Sequence, residues 1–111
     1  MIKYYFLVAS KDFLLYQEPV EEILRERINH YNNLKKKIDF GVTTNLSFLN
    51  DPDLIHIRLQ LVKPSIAIIS LDSQFINWLK LRIGYVITDS FISSSINLKN
   101  SLASFDSISF I

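Results

Sequence analysis

A chain of 111 residues has the length of one domain, and at this size folding buries roughly two-thirds of the unfolded surface around a single core. Hydrophobic residues make up 49% of the chain and the formal net charge is +1, which gives no general attraction to nucleic acid or anionic lipid. The absence of Cys excludes disulfides, thiolate metal sites and a thiol nucleophile.

The first predicted element is a strand. Residues 4–9 are aromatic and β-branched, and the polar flank at Lys11 leads into further apolar residues rather than into a signal-peptide cleavage region. A second apolar stretch, residues 54–71, is interrupted by basic residues and by Pro64, so it lacks the length of a membrane helix. We expect no targeting segment and no direct membrane insertion.

A helix with one apolar stripe comes next. Pro19 suits its first turn, and the stripe follows at offsets of three and four: Val20, Ile23, Leu24, Ile28, Tyr31 and Leu34. Residues 38–43 then predict a short strand, because Phe40 and Asp39 fall on opposite faces of an alternating pattern.

The second half of the chain repeats this alternation. Asp51 followed by Pro52 has the form of a helix start, which predicts a helix over residues 51–61. Residues 65–70 are continuously apolar between two serines, which is typical of a central strand buried on both faces. Asp72 or Ser73 is then expected to cap the last helix.

Residues 75–88 read as an amphipathic helix whose apolar arc is too wide for one core. Phe75 and Leu79 belong to one sector, whereas Trp78 and Leu81 spread the apolar character beyond it. Gly84 marks the end of this helix or a weak point within it. The residues that follow Gly84 therefore either extend the helix or form a fourth strand.

The order of elements predicts an α/β fold: a single small domain, residues 1–91, with a three- or four-stranded sheet covered by helices and at least some parallel pairing. An α+β fold with an antiparallel sheet is the alternative. Residues 92–111 are rich in Ser and Asn and predict an irregular or weakly docked tail.

Motifs that carry chemistry are nearly absent. The sequence has no Gly-rich phosphate loop, no nucleophile elbow and no paired-His metal spacing. Glu26 and His30 share a helix face at i and i+4, whereas carboxylate-bridged iron sites use Glu and His at i and i+3 on two helices. His56 lies between two isoleucines and is interpreted as a partly buried neutral imidazole. We predict no catalytic residue, no metal ligand and no cofactor.

Several residues allow two interpretations, a structural role or a contact with another protein. Asp39 is either a solvated polar residue at a strand start or a partner contact beside Phe40. Arg82 either covers its apolar neighbours with its stem or presents its guanidinium beside Trp78 to a carboxylate. Trp78 is either a core residue or an interface residue. Whether Asp39 and Arg82 share one surface or pair with each other stays open.

Four segments of the chain resemble a known family: YYFLVAS at residues 4–10, EEILRER at 21–27, IDF at 38–40 and QFINWLKLR at 74–82. Together they are similar to the small accessory protein of the aerobic magnesium-protoporphyrin IX monomethyl ester cyclase, a family first catalogued as hypothetical chloroplast reading frame fifty-four. The resemblance ends at about residue 91. The chain departs from the family at Gly84 and Asp89.

The resemblance implies a role in chlorophyll biosynthesis and photosynthesis, where an oxygen-dependent cyclase closes the fifth ring and yields protochlorophyllide. It implies an accessory subunit that is not itself an enzyme and that binds the di-iron catalytic subunit through protein-protein interaction, assembling or stabilising it. By position, the partner-contact residues of the family fall on Asp39, Phe40 and Arg82, and Trp78 is added to them.

Two other functions stay open beside this one. A tetrapyrrole-binding carrier or shielding protein would bind the magnesium porphyrin in an apolar groove, and an enzyme would need an unrecognised site. The bias towards Ile, Asn, Lys, Phe and Ser suggests an AT-rich genome. With the family, it implies a plastid (chloroplast) protein of the stroma, peripheral to membranes through its partner, or a protein of the cyanobacterial cytoplasm.

Overall fold

The computed structural model describes residues 2–14, 20–36, 39–61, 64–84 and 86–93. Its elements are, in chain order, β1 (Ile2–Ser10), α1 (Val20–Asn33), β2 (Phe40–Thr43), a 3₁₀ helix (Ser47–Asn50), α2 (Ile55–Arg58), β3 (Ser65–Ser70), α3 (Ser73–Ile83) and β4 (Ile87–Ser93). The features predicted at Pro19 and Ile38, and most of the predicted tail, residues 94–111, lie outside the described residues.

The four strands form one antiparallel sheet in the order β2-β3-β1-β4. Each neighbouring pair in this order is antiparallel. The prediction of a single domain with a small sheet covered by helices is confirmed, and the α+β alternative is the correct one. The parallel pairing that we expected first is wrong.

The error has a topological cause. Because β1 and β2 are both antiparallel to β3, they run in the same direction, and β3 and β4 do so on either side of β1. The crossovers through α1 and α3 therefore join strands of like direction, as an α/β sequence pattern predicts, but each skips the strand inserted between them. This β-α-β-β-α-β order is the ferredoxin-like, or split βαβ, topology.

The two faces of the sheet are covered by different elements. On one face, α1 and α3 pack through residues such as Leu24 and Leu79 against alternate residues of β1 and β3. On the other face, the 3₁₀ helix and α2 pack through Leu49 and Ile57. All six residues of β3 are buried, which confirms the prediction of a central strand buried on both faces.

The helix predicted over residues 51–61 is mostly a turn. The Asp51 carboxylate accepts a hydrogen bond from the Asp53 backbone N–H at 2.9 Å, and the Asp51 carbonyl accepts one from Leu54 N–H at 2.8 Å. These bonds offer the backbone an alternative to helix, so α2 begins only at Ile55. The turn places Leu54 and Ile57 in the core and leaves His56 exposed rather than partly buried.

Both ends of α3 are set by residues that the sequence singled out. The Asp72 side chain caps the helix by accepting hydrogen bonds from the backbone N–H groups of Gln74 and Phe75. Gly84 ends it with φ +70°, a conformation that favours glycine. The continuation of this helix to residue 88 is wrong, and the alternative of a fourth strand is confirmed by β4.

Candidate partner-binding surface

A polar network joins α1 to the start of α3. The Tyr31 hydroxyl donates a hydrogen bond to Asp39 Oδ1 at 2.9 Å and accepts one from Arg27 Nη2 at 2.6 Å. The same Nη2 lies 3.3 Å from Asp72 Oδ2 and forms an ion pair with it. The network therefore connects α1, the residue before β2 and the N-cap of α3.

Aromatic rings support this network from the core. The Arg27 guanidinium lies 3.7 Å from the Phe75 ring centroid and 4.9 Å from the Tyr31 centroid. The Phe40 ring contacts both of these rings, with centroid distances of 6.1 Å to Tyr31 and 5.3 Å to Phe75. Lys36, an exposed residue that follows α1, places its Nζ 4.6 Å from the Tyr31 ring centroid. The position of Tyr31 is thus fixed by packing as well as by hydrogen bonds.

Burial raises the pKa of Tyr31 to about 12, and the hydrogen bond and negative charge of Asp39 act in the same direction, against a lowering by Arg27. Only 2% of Tyr31 is exposed. Because the phenol keeps its proton far above neutral pH, it remains a hydrogen-bond donor to Asp39 under physiological conditions.

Asp39 and Phe40, both predicted as partner contacts, lie in different environments. Asp39 is partly exposed, and its carbonyl accepts a hydrogen bond from Leu71 N–H at 3.0 Å, next to the start of α3. Phe40 is fully buried and contacts Tyr31 and Phe75. The partner contact predicted for Phe40 stays a prediction; in this structure the ring does not reach the surface, so Phe40 can contribute to binding only by supporting its neighbours.

The two other predicted residues lie on the exposed part of α3. Trp78 is 50% exposed and is therefore not a core residue. The Arg82 side chain is exposed and makes no hydrogen bond or ion pair with another described residue. Leu81, which the sequence placed in the wide apolar arc but not in the site, is 87% exposed, more than any other described large hydrophobic residue. Leu81 and Arg82 follow Trp78 by three and four residues, which makes all three neighbours on the helix surface. We call these three residues the α3 patch.

The polar network and part of the α3 patch share one side of α3. Phe75, which contacts Arg27 of α1, precedes Trp78 by three residues and Arg82 by seven, so Trp78 and Arg82 lie on the side that faces α1. Asp72 and Arg82 are ten residues apart, or about 15 Å along the helix axis. Because Asp39 adjoins the start of α3, Asp39 and Arg82 do not pair with each other.

Two cavities lie away from α3, beside the segment that follows β2. One of about 510 Å³ is lined by residues including Phe48 and Phe91, and one of about 860 Å³ by residues including Lys11 and Arg58. Across the described ranges, no group of three or more His, Asp or Glu residues is placed to hold a metal ion. None of the described helices has the length and apolar character to cross a membrane.

Comparison with known proteins gives one consistent result. A family model described as Ycf54 protein matches residues 2–93. The chain is 51% identical over 102 residues to the ycf54 protein of Porphyra purpurea, with 92% of this chain and 94% of that protein covered. It is 33% identical over 96 residues to the chloroplastic protein YCF54 of Arabidopsis thaliana, with 86% and 44% covered.

A solved structure agrees with the fold. The Ycf54 protein from Synechocystis sp. PCC6803 matches with a TM-score of 0.80 and 39% sequence identity, over 92% of this chain and 96% of that chain. The relatives in chloroplasts and cyanobacteria are consistent with a plastid or cyanobacterial origin.

Proposed function

The chain belongs to the Ycf54 family, and we propose that it is a non-catalytic accessory subunit of the oxygen-dependent magnesium-protoporphyrin IX monomethyl ester cyclase. It binds the di-iron catalytic subunit and assembles or stabilises it, which supports protochlorophyllide formation in chlorophyll biosynthesis. It acts in the plastid stroma or the cyanobacterial cytoplasm and reaches membranes only through its partner.

The observation that carries the proposal is the α3 patch. Trp and Arg are the residue types that most often dominate binding energy at protein interfaces, and here they are adjacent and accessible. Burial of Trp78 and Leu81 by a partner removes their apolar surface from water, which stabilises the complex by about 25 cal/mol for each Å² buried. Arg82, in the last turn of α3, presents a planar guanidinium suited to a carboxylate of the partner.

Asp39 is proposed to determine the direction in which the partner binds along α3. Its negative charge adjoins the start of α3, whereas the positive charge of Arg82 lies near the end, where the helical rise from Asp72 is about 15 Å over ten residues. A partner with the complementary arrangement of charges binds in one direction along α3 and is disfavoured in the reverse one.

The experiment is co-purification of the di-iron subunit with variants of this chain. For Arg82→Ala we expect an affinity loss of about tenfold or more, typical of an interface anchor. Lys80→Ala is the matched control, because Lys80 is also an exposed base in the last turn of α3 but lies two residues from both Trp78 and Arg82. Undiminished capture by Arg82→Ala, with both variants folded, would contradict the proposed docking role.

The same preparations separate the other two functions. A tetrapyrrole carrier binds the magnesium porphyrin ester directly, which a shift in its absorbance on titration would reveal. Turnover of the ester by the purified chain without the di-iron subunit would overturn the non-catalytic assignment.

A further inference from the structure

Arg27 carries one buried polar atom that its contacts leave unsatisfied. Its Nε is buried and has no hydrogen-bond partner among the described residues, although Nη2 contacts both Tyr31 and Asp72. A buried donor without an acceptor destabilises a fold. An apolar side chain of similar length would keep the packing on Phe75 and remove this unsatisfied group.

The hydrogen bonds of the network have a fixed direction. A guanidinium only donates, so Arg27 donates to the Tyr31 oxygen, and the single phenolic proton of Tyr31 is then directed to Asp39 Oδ1. Asp39 Oδ2 accepts no hydrogen bond from another described residue, and Asp39 is partly exposed. One carboxylate oxygen is thus held from inside, and the second is available to a donor from outside.

We propose that Arg27 and Tyr31 are positioning residues of the partner-binding surface, which orient the Asp39 carboxylate towards a cationic or N–H donor of the partner and hold α1 against the start of α3. This inference rests on the proposed function. It gives the incompletely satisfied guanidinium a role. The same Nη2 holds the α3 N-cap through Asp72 and the Asp39 rotamer through Tyr31.

Tyr31→Phe is the most selective variant, because it removes one oxygen and keeps the ring that contacts Phe40 and Arg27. We expect the affinity for the di-iron subunit to fall about tenfold, as for loss of one well-placed charged hydrogen bond. In the double variant with Asp39→Ala, Tyr31→Phe should add almost no further loss, since its effect is transmitted through that carboxylate. Full additivity of the two losses would overturn the positioning role.

Arg27→Met tests whether Arg27 serves to position the binding surface or to stabilise the fold. Removal of the unsatisfied Nε offsets the loss of the Nη2 contacts, which are partly exposed, so we expect the urea midpoint to change little while the complex becomes several-fold weaker. His30→Ala is the control on the same helix, next to Tyr31 and exposed, and it should bind as the parent does. If Arg27→Met fails to fold, the cycle of Tyr31 with Asp39 still decides the matter.

Failure of this inference is distinguishable from failure of the proposed function. Parent-like binding by Arg27→Met and Tyr31→Phe, alongside weak binding by Asp39→Ala and Arg82→Ala, would overturn the positioning role and leave the docking surface intact. Parent-like binding by Asp39→Ala and Arg82→Ala would remove the docking surface itself, and the positioning role with it.

Discussion

The two ends of α3 are constructed in opposite ways. At its start, Asp72 caps the helix and pairs with Arg27, from which hydrogen bonds continue to Tyr31 and Asp39. At its end, the helix stops through the backbone conformation of Gly84, and the α3 patch is exposed to solvent. Under the proposed function, the start of α3 fixes the orientation of the binding surface and the end supplies the contact area.

The largest expected effect is that of Phe40→Ala at the fixed end. Phe40 is fully buried between Tyr31 and Phe75, so its removal leaves a cavity beneath the network, and the free energy of unfolding should fall by about 3–5 kcal/mol. Trp78→Ala removes a larger ring from the exposed end and should cost no more than about 1–2 kcal/mol.

Urea denaturation of the two variants measures this contrast directly. Equal losses of stability would show that the ends of α3 do not differ as described. A loss of partner binding by Phe40→Ala would then have to be corrected for the unfolded fraction before it was attributed to the interface.

The next largest loss of stability is expected for Asp72→Ala. It removes the acceptor for the N–H groups of Gln74 and Phe75 and should cost about 0.5–2 kcal/mol. Asp72→Asn keeps a capping oxygen and loses only the ion pair with Arg27, whose partners are 25% and 33% exposed, so its cost should be below about 1 kcal/mol. Thermal and urea unfolding of both variants would show which one loses more stability. If the Asn variant is as unstable as the Ala variant, the ion pair with Arg27, and not the cap, stabilises the start of α3.

The ends of α3 could be predicted from the sequence because they depend on local chemistry. A side-chain oxygen two residues before the first free N–H groups, and a glycine where φ is positive, act within one helical turn. Strand order is a different kind of property. The alternation of β and α elements predicts parallel pairing, whereas β2 and β3 are antiparallel, and which strand lies between two others is decided by packing across the whole sheet.

The site shows the same limit. The strand pattern correctly separated Asp39 from Phe40. The width of the apolar arc predicted more apolar surface than one core needs, and Trp78, whose alternatives were left open, and Leu81 are the exposed part of it. Arg27 and Tyr31 were missed because Tyr31 fitted the core stripe of α1 and Arg27 contacts Asp72 across 45 residues of sequence. No local pattern reports a contact of that separation; a charged residue three or four positions from a buried tyrosine is the only hint.

The smallest expected effect on stability is that of Leu81→Ser at the exposed end. Leu81 is 87% exposed, so the substitution exchanges one solvated side chain for another, and the free energy of unfolding should change by less than about 0.5 kcal/mol. Leu79→Ser is the matched control, since Leu79 is the same residue type two positions earlier and fully buried; its loss should be at least about 2 kcal/mol, because a cavity is left and a hydroxyl is buried. If Leu81→Ser leaves stability unchanged but weakens capture of the di-iron subunit, the apolar area at this end serves binding and not folding. If both stability and capture are unchanged, Trp78 and Arg82 carry the contact without Leu81, and the α3 patch must be narrowed to those two residues.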